Sequence, residues 1–289
     1  VKFGKNYKIV NFDIIEAKYL NKNNFMNDVL IKQRNNNIEI YSKKIDLTFA
    51  LERALKATDK VDFFQIFQNL NAALIIDLEQ AKLDKDHNLN HLKGTSFIKK
   101  NKISEMKLLA NFNSNNKFIY TIDVLDGKRV TTIYSDLAKP FVKKFKFIKG
   151  FEGGKLDFTS TEIDQNLFES ELRIYNFKLQ DMPALTKLLS LASLQGIADI
   201  ATGQGIRFNE FEMFFVNSEK IITINEIYAL GPAISILMEG YVEKNKLVSL
   251  KGTLVPATTI NRTIAKIPLV GDLLVGEKSF LDYLTMAIM

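Results

Sequence analysis

Apolar side chains recur at every second position through much of this chain, and that rhythm restricts it to β-structure. In Lys117–Val124, Phe118, Tyr120, Ile122 and Val124 fall on one side, while Lys117, Thr121 and Asp123 join Ile119 on the other. Ala233–Val242 sets Ile234, Ile236 and Met238 against Ser235, Leu237 and Glu239. Lys246–Val255 aligns Val248, Leu250 and Leu254 with Gly252. Lys8–Ile15, Asn37–Tyr41, Ala72–Glu79, Ser170–Phe177, Phe208–Val216 and Ile221–Tyr228 read as further strands. Polar turns such as Asp126–Gly127, Asn217–Ser218 and Glu243–Asn245 separate them. Short connections of this kind predict an antiparallel meander, not βαβ units.

Helical periodicity is confined to Asp46–Asp59, Ser135–Ile148 and above all Asp181–Thr202. The last opens with Asp181 at the N-cap position and Pro183 in the first turn, and stops before Gly203 and Gly205. The expected fold is therefore mainly β: a long antiparallel curled sheet, trough-like or open-barrel-like, with a few helices. A shift in charge coincides with Gly150, Gly153 and Gly154. Residues 1–150 hold 27 cationic and 16 anionic side chains, whereas residues 151–289 hold 12 and 17.

That basic half does not point to nucleic acid. Only six of the 39 cations are Arg, and the lysines are scattered among Asn. Arg is the side chain suited to bidentate reading of bases and phosphates. The absence of Cys excludes disulfide frameworks and zinc–thiolate chemistry. No apolar run approaches the roughly 18–20 residues that span a bilayer. Lys2, Lys5, Lys8, Asp13, Glu16 and Lys18 leave no apolar core for a signal peptide, and the Val1 start suggests a stretch of something longer.

No catalytic constellation stands out. His87 and His91 are spaced i,i+4, but Asp84, Asp86 and Asn88–Asn90 around them read as a solvated loop with no third ligand, so no metal is expected. Gly203-Gln204-Gly205 and Gly150…Gly153-Gly154 lack the spacing of phosphate-binding loops and read as a helix stop and a tight turn. Glu210 and Glu212 share a strand face with nothing to desolvate them. Phe208, Phe211, Phe214 and Phe215 lack the interleaved cations of a base-stacking platform and suit a core or an apolar groove. The expectation is a protein with no enzymatic activity and no cofactor.

A resemblance covers roughly residues 130–279. It is carried by Gly153-Gly154-Lys155-Leu156, Leu172–Leu179, Met182-Pro183-Ala184-Leu185, Leu188–Ile197 and Gly203–Phe208. Leu230-Gly231-Pro232, Gly240, Leu250–Pro256, Ile260-Asn261 and Ile267–Gly276 follow in order. This series resembles the C-terminal region of AsmA-like proteins, specifically the YhdP-type branch of Gram-negative bacteria. The resemblance implies a curled antiparallel trough with an apolar interior, anchored to the inner membrane by an N-terminal helix, extending through the periplasm and moving phospholipid towards the outer membrane. It implies no catalytic residue and no metal. Phospholipid, a membrane surface and the remainder of a longer envelope protein are the implied partners.

On that reading residues 1–130 form a trough segment, 131–279 the family's C-terminal region, and 280–289 an atypical tail. The resemblance stops at Ser279, so Phe280–Met289 is expected to be a frameshifted or prematurely terminated end. Phe118, Tyr120, Ile122, Val124, Ile234, Ile236, Met238, Val248, Leu250 and Leu254 are the expected groove lining. Ile267, Leu269, Val270, Leu273 and Leu274 are candidates for an apolar plug or membrane-facing tip, and suit a terminal strand–turn element packed on the sheet at least as well. The competing readings are a periplasmic scaffold that carries no lipid, a nucleic-acid binder using the basic first half, and a non-functional remnant of a split gene. Without the resemblance, the alternation alone favours a closed sandwich or barrel core with no room for lipid.

Overall fold

The computed structural model describes residues 1–4, 8–49, 69–112, 116–142, 150–180, 205–243 and 247–256. The fold is mainly β, an open antiparallel sheet of fourteen strands whose hydrogen-bonded order follows the chain. The chain divides into two compact units, Val1–Ser135 and Asp136–Met289.

In the first unit, β1 (Lys2–Phe3) and β2 (Ile9–Asn11) make a separate two-stranded ribbon. The large sheet's eight strands here are β3 (Ile14–Leu20), β4 (Met26–Arg34), β5 (Asn37–Asp46), β6 (Ala72–Lys82), β7 (Asn88–Lys99), β8 (Lys102–Asn111), β9 (Lys117–Leu125) and β10 (Lys128–Ser135). Tight turns make the hairpins: Asp126 and Gly127 both have positive φ between β9 and β10, as do Lys100 and Asn101 between β7 and β8. Two successive left-handed residues supply the twist that antiparallel neighbours require. One pair departs from the expected meander, since β5 and β6 run parallel and are joined through residues 47–71.

The expected strand at Lys8–Ile15 is interrupted. Phe12 leaves the ladder and is buried against Ile38, Ala72, Leu74 and Ile98, with Ile9, Ile15, Ile31, Ile40, Leu70 and Ile76 packed around. Its backbone N–H donates to Gln33 Oε1 at 3.1 Å, so leaving the ladder does not strand the donor. The β1–β2 ribbon thus leads into a plug over one end of the unit's apolar face.

The second unit holds α1 (Lys139–Val142), β11 (Phe151–Asp164), β12 (Leu167–Leu179), β13 (Ile206–Asn217), β14 (Ile221–Leu230), β15 (Ile234–Glu243) and β16 (Leu247–Pro256). Its ladders are all antiparallel. Pro140, Phe141 and Val142 of α1 are buried, and Ala138 N–H donates to Gly154 O at 2.8 Å. Gly154 has φ +83°, and a Cβ there would sit 3.2 Å from both Ala138 Cβ and Phe177 Cβ. Glycine is therefore required on two counts. The helices expected at Asp181–Thr202 and over most of Asp46–Asp59 lie outside the described residues.

Register shifts interrupt the β4–β5, β7–β8, β11–β12, β13–β14 and β14–β15 ladders. Such bulges bend the strand and increase its twist, so each section curls. Close strand approach adds to this at Gly94, where a Cβ would lie 1.9 Å from Lys107 O. We expect Gly94→Val to lower the unfolding free energy by about 2–4 kcal/mol. The adjacent Thr95→Val should change it by less than about 0.5 kcal/mol. Urea midpoints at unchanged m-value provide the comparison.

Candidate functional site: an apolar face built row by row

The registers turn single-strand alternation into a surface. In the first unit one line of paired residues crosses all eight strands of the large sheet: Ile15, Ile31, Ile40, Ile76, Gly94, Leu108, Tyr120 and Ile133. Every one of these is half-buried. A second line runs beside it on the same face, through Ile38, Leu74, Ser96, Met106, Ile122 and Thr131. Ser96 is fully buried there because its hydroxyl donates to Glu105 O at 2.9 Å.

The opposite face is richer in polar side chains, though Ile75, Phe97 and Leu109 are exposed on it. Lys32, Glu39, Ile75, Thr95, Lys107, Thr121 and Thr132 form one of its lines. Thr121 and Thr132 hydroxyls meet at 2.7 Å, and Lys93 pairs with Asp77 at 3.1 Å in the neighbouring line. Water satisfies such a face, so the sheet is amphipathic across its thickness.

The second unit repeats the arrangement. Leu156, Ile174, Phe211, Ala229, Ile236 and Leu254 form one line across six strands. Phe158, Leu172, Met213, Ile227, Met238 and Gly252 form the next, and Ser160, Ser170, Phe215, Ile224, Gly240 and Leu250 a third. At one end Phe177 stacks between Phe151 and Phe208, with ring centroids 5.2 Å apart on each side. Its other face carries ionic pairs: Arg173 Nε lies 3.0 Å from Glu212 Oε1, and Lys251 lies 2.9 Å from Glu239. Glu212, read from sequence as a solvated carboxylate, thus has a partner.

The expected lining residues fall on these faces, in two separate sets. Phe118, Tyr120, Ile122 and Val124 alternate along β9, with Phe118 and Ile122 buried, Tyr120 half-buried and Val124 exposed. Burial pushes the Tyr120 phenol above its ordinary value, with the Arg129 guanidinium pulling partly back. In the second unit Ile234, Ile236, Met238 and Leu250 are buried and Leu254 half-buried. Val248 takes the register position opposite Val242. The tip candidates Ile267, Leu269, Val270, Leu273 and Leu274 lie outside the described residues, as does the 280–289 tail. The lines through β3 to β8 were not anticipated; the alternation of Ile38 with Ile40, and of Leu74 with Ile76 and Leu78, was their signal.

The histidines need a correction. His91 does not share a polar loop with His87; it belongs to β7, at φ 52°, where the ladder shifts register. His87 is in the β6–β7 loop, and ligand atoms of Asp84, Asp86 and His87 lie within 4.8 Å of one another. The Asp84 carboxylate is already engaged, however. It accepts from Asp86 N–H at 2.7 Å and His87 N–H at 2.8 Å, and its Oδ1 lies 2.9 Å from His87 Nδ1. These contacts make an Asx-type turn that orders the loop.

No protein-family model, curated protein or solved structure matches the chain. The likeness to AsmA-like proteins accordingly rests on the sequence segments that carry it.

Two outcomes follow from this geometry. Burial raises the Asp84 carboxyl, but hydrogen bonds from Asp86 and His87 outweigh it and hold the group below its ordinary value. A depressed acid stabilises the fold above its unfolded pKa of about 3.9 and loses that contribution as pH falls through the lower, folded value. Protection factors of the Asp86 and His87 amides, corrected for intrinsic exchange, should therefore fall on acidification below about pH 4, and Asp84→Asn should remove that pH dependence. Separately, Phe177→Ala should cost about 3–5 kcal/mol in thermal or urea unfolding, since it removes the middle ring of the stack.

Proposed function

We propose that the apolar face binds lipid acyl chains, and that this chain is part of a lipid-carrying β-groove protein of the Gram-negative cell envelope. The observation that carries the reading is the half-buried line from Ile15 to Ile133. It is apolar across eight strands, backed by a more polar face, and no second sheet of matching size exists among the described residues to cover it.

Size and energetics fit. Seven inter-strand steps of about 4.8 Å give a line about 34 Å long. A bilayer's hydrocarbon core, two acyl chains deep, is about 30 Å thick. The line therefore matches two acyl chains end to end in length, with Phe12 packed over its Ile15–Ile76 end. Each buried methylene contributes about 0.8 kcal/mol, so a dozen supply roughly 10 kcal/mol before the entropy of association is subtracted. Such binding needs shape and apolarity more than directed polar contacts, which agrees with a site whose rows are almost wholly hydrocarbon. Arg129, opposite Val124 at the turn end of the same face, is placed to meet a lipid phosphate.

Phospholipid, a membrane surface and the rest of a longer envelope chain are the partners this function needs, and the periplasm is its setting. Mass spectrometry of lipids extracted from the folded, purified protein tests it. Phospholipid should be retained by the parent protein and by Thr95→Asp on the polar face, and should be lost from Ile40→Asp and Ile76→Asp. A folded parent protein that carries no phospholipid and moves no fluorescent lipid between vesicles would exclude the reading.

A further inference from the structure

The outer edge of β3 is a surface with its own recognition code. Among the described residues β3 has one hydrogen-bonded neighbour, β4, so its other backbone edge is unpaired by a strand. The β3–β4 ladder runs through seven residue pairs without a register shift. Neither proline nor a bulge interrupts β3, and those are two of the usual devices that blunt an edge. Its apolar side chains also remain open: Ile14 is 60% exposed, Tyr19 50% and Leu20 59%.

Read outwards from Ala17, the strand is symmetric in chemistry. Glu16 and Lys18 flank it, then Ile15 and Tyr19, then Ile14 and Leu20. We propose that β3 is a self-complementary edge that pairs antiparallel with β3 of a second copy of this chain, about a two-fold axis at Ala17. Ile14 then lies opposite the partner's Leu20, Ile15 opposite the partner's Tyr19, and Glu16 opposite the partner's Lys18, each contact occurring twice. A two-fold interface makes such reciprocity obligatory.

The alternatives are disfavoured one by one. Moving the register by a single residue joins the apolar face of one copy to the polar face of the other, because side chains alternate with period two. Moving the axis to Glu16 places Glu16 opposite itself, and moving it to Lys18 does the same for Lys18. A parallel, in-register pairing sets each charge beside its own kind. Like charges directly opposite are destabilising, whereas opposite charges contribute favourably. Glu16 and Lys18, now an exposed ion pair at 3.3 Å within one strand, would exchange partners across the axis without leaving solvent. In the paired form Ile15 and Tyr19 remain on the face that carries Ile31 and Val29, so the apolar surface continues from one copy into the next. The inference does not depend on what that surface binds.

Sedimentation velocity over a concentration series of the full chain tests the pairing, with circular dichroism confirming that each variant is folded. The parent protein should show a reversible monomer–dimer equilibrium. Lys18→Glu places two pairs of carboxylates opposite one another and should weaken dimerisation about tenfold. The double exchange Glu16→Lys with Lys18→Glu restores complementarity and should restore the dimer. Because the chain contains no Cys, Ala17→Cys gives a clean second readout. Mild oxidation should yield a disulfide-linked dimer, and adding Lys18→Glu should suppress it. A monomer at every concentration overturns the proposal. A dimer indifferent to Lys18→Glu, a charge exchange that fails to rescue, or an Ala17→Cys protein that does not cross-link also overturns it.

Discussion

Parity between neighbouring strands is the constraint on which the rest of the structure depends. A side chain's face is fixed by whether its position is odd or even along the strand, and each ladder transmits that choice to the next. Ile31 stands opposite Ile15 and Ile40, Ile76 opposite Ile40, and Tyr120 opposite Leu108 and Ile133. A one-residue slip anywhere in that series would put isoleucine among Lys32, Glu39 and Lys107. Apolar burial on one side and solvation on the other therefore select the same register, and both penalise its neighbours.

Where parity changes within a strand, the backbone marks the place. Gly153, Gly154 and Asn176 have positive φ on adjacent strands, at the level where Phe177 gives way to Ile174 on the buried side. The slip is shared by β13, so Phe208 and Phe211, three apart, are both directed to the apolar side. Residues that tolerate left-handed backbone are thus placed where the face must be re-aimed. His91 marks a comparable step in β7, between buried Leu89 and buried Leu92.

These steps explain what was legible in the sequence. β9, β15 and β16 keep a simple alternation, and their extents follow it closely, whereas β14 changes parity between Ile224 and Ile227. β4 was harder to see, because Val29-Leu30-Ile31 is a continuous apolar run, and β10 because Val130-Thr131-Thr132-Ile133 has weak contrast. Alternation places Phe12 in a strand that it in fact leaves, since the pattern cannot show that a side chain packs over the sheet instead of standing on it. The apolar face was only partly legible for a deeper reason. Tyr120 and Ile236 are visible as members of an alternating strand, but a line of eight residues on eight strands exists only once every register is known. The parallel pairing of β5 with β6 could not be read at all, as nothing in either strand specifies the direction of its partner.

That one parallel step has a kinetic consequence. Each other neighbouring pair in the first unit's large sheet closes over a short connection, so its contacts are local and form early at low entropic cost. Joining β5 to β6 spans the 25 residues between Asp46 and Ala72. Relative to a two-residue turn, loop closure over that distance costs about 2 kcal/mol more. β3 to β5 and β6 to β10 can each zip as local hairpins, and the nucleus that unites them is the β5–β6 ladder, in which Ile38 meets Leu74 and Ile40 meets Ile76. Until it forms, the unit has two additional open strand edges, so the interval before β5 meets β6 is when the folding chain is most exposed to association with the wrong partner.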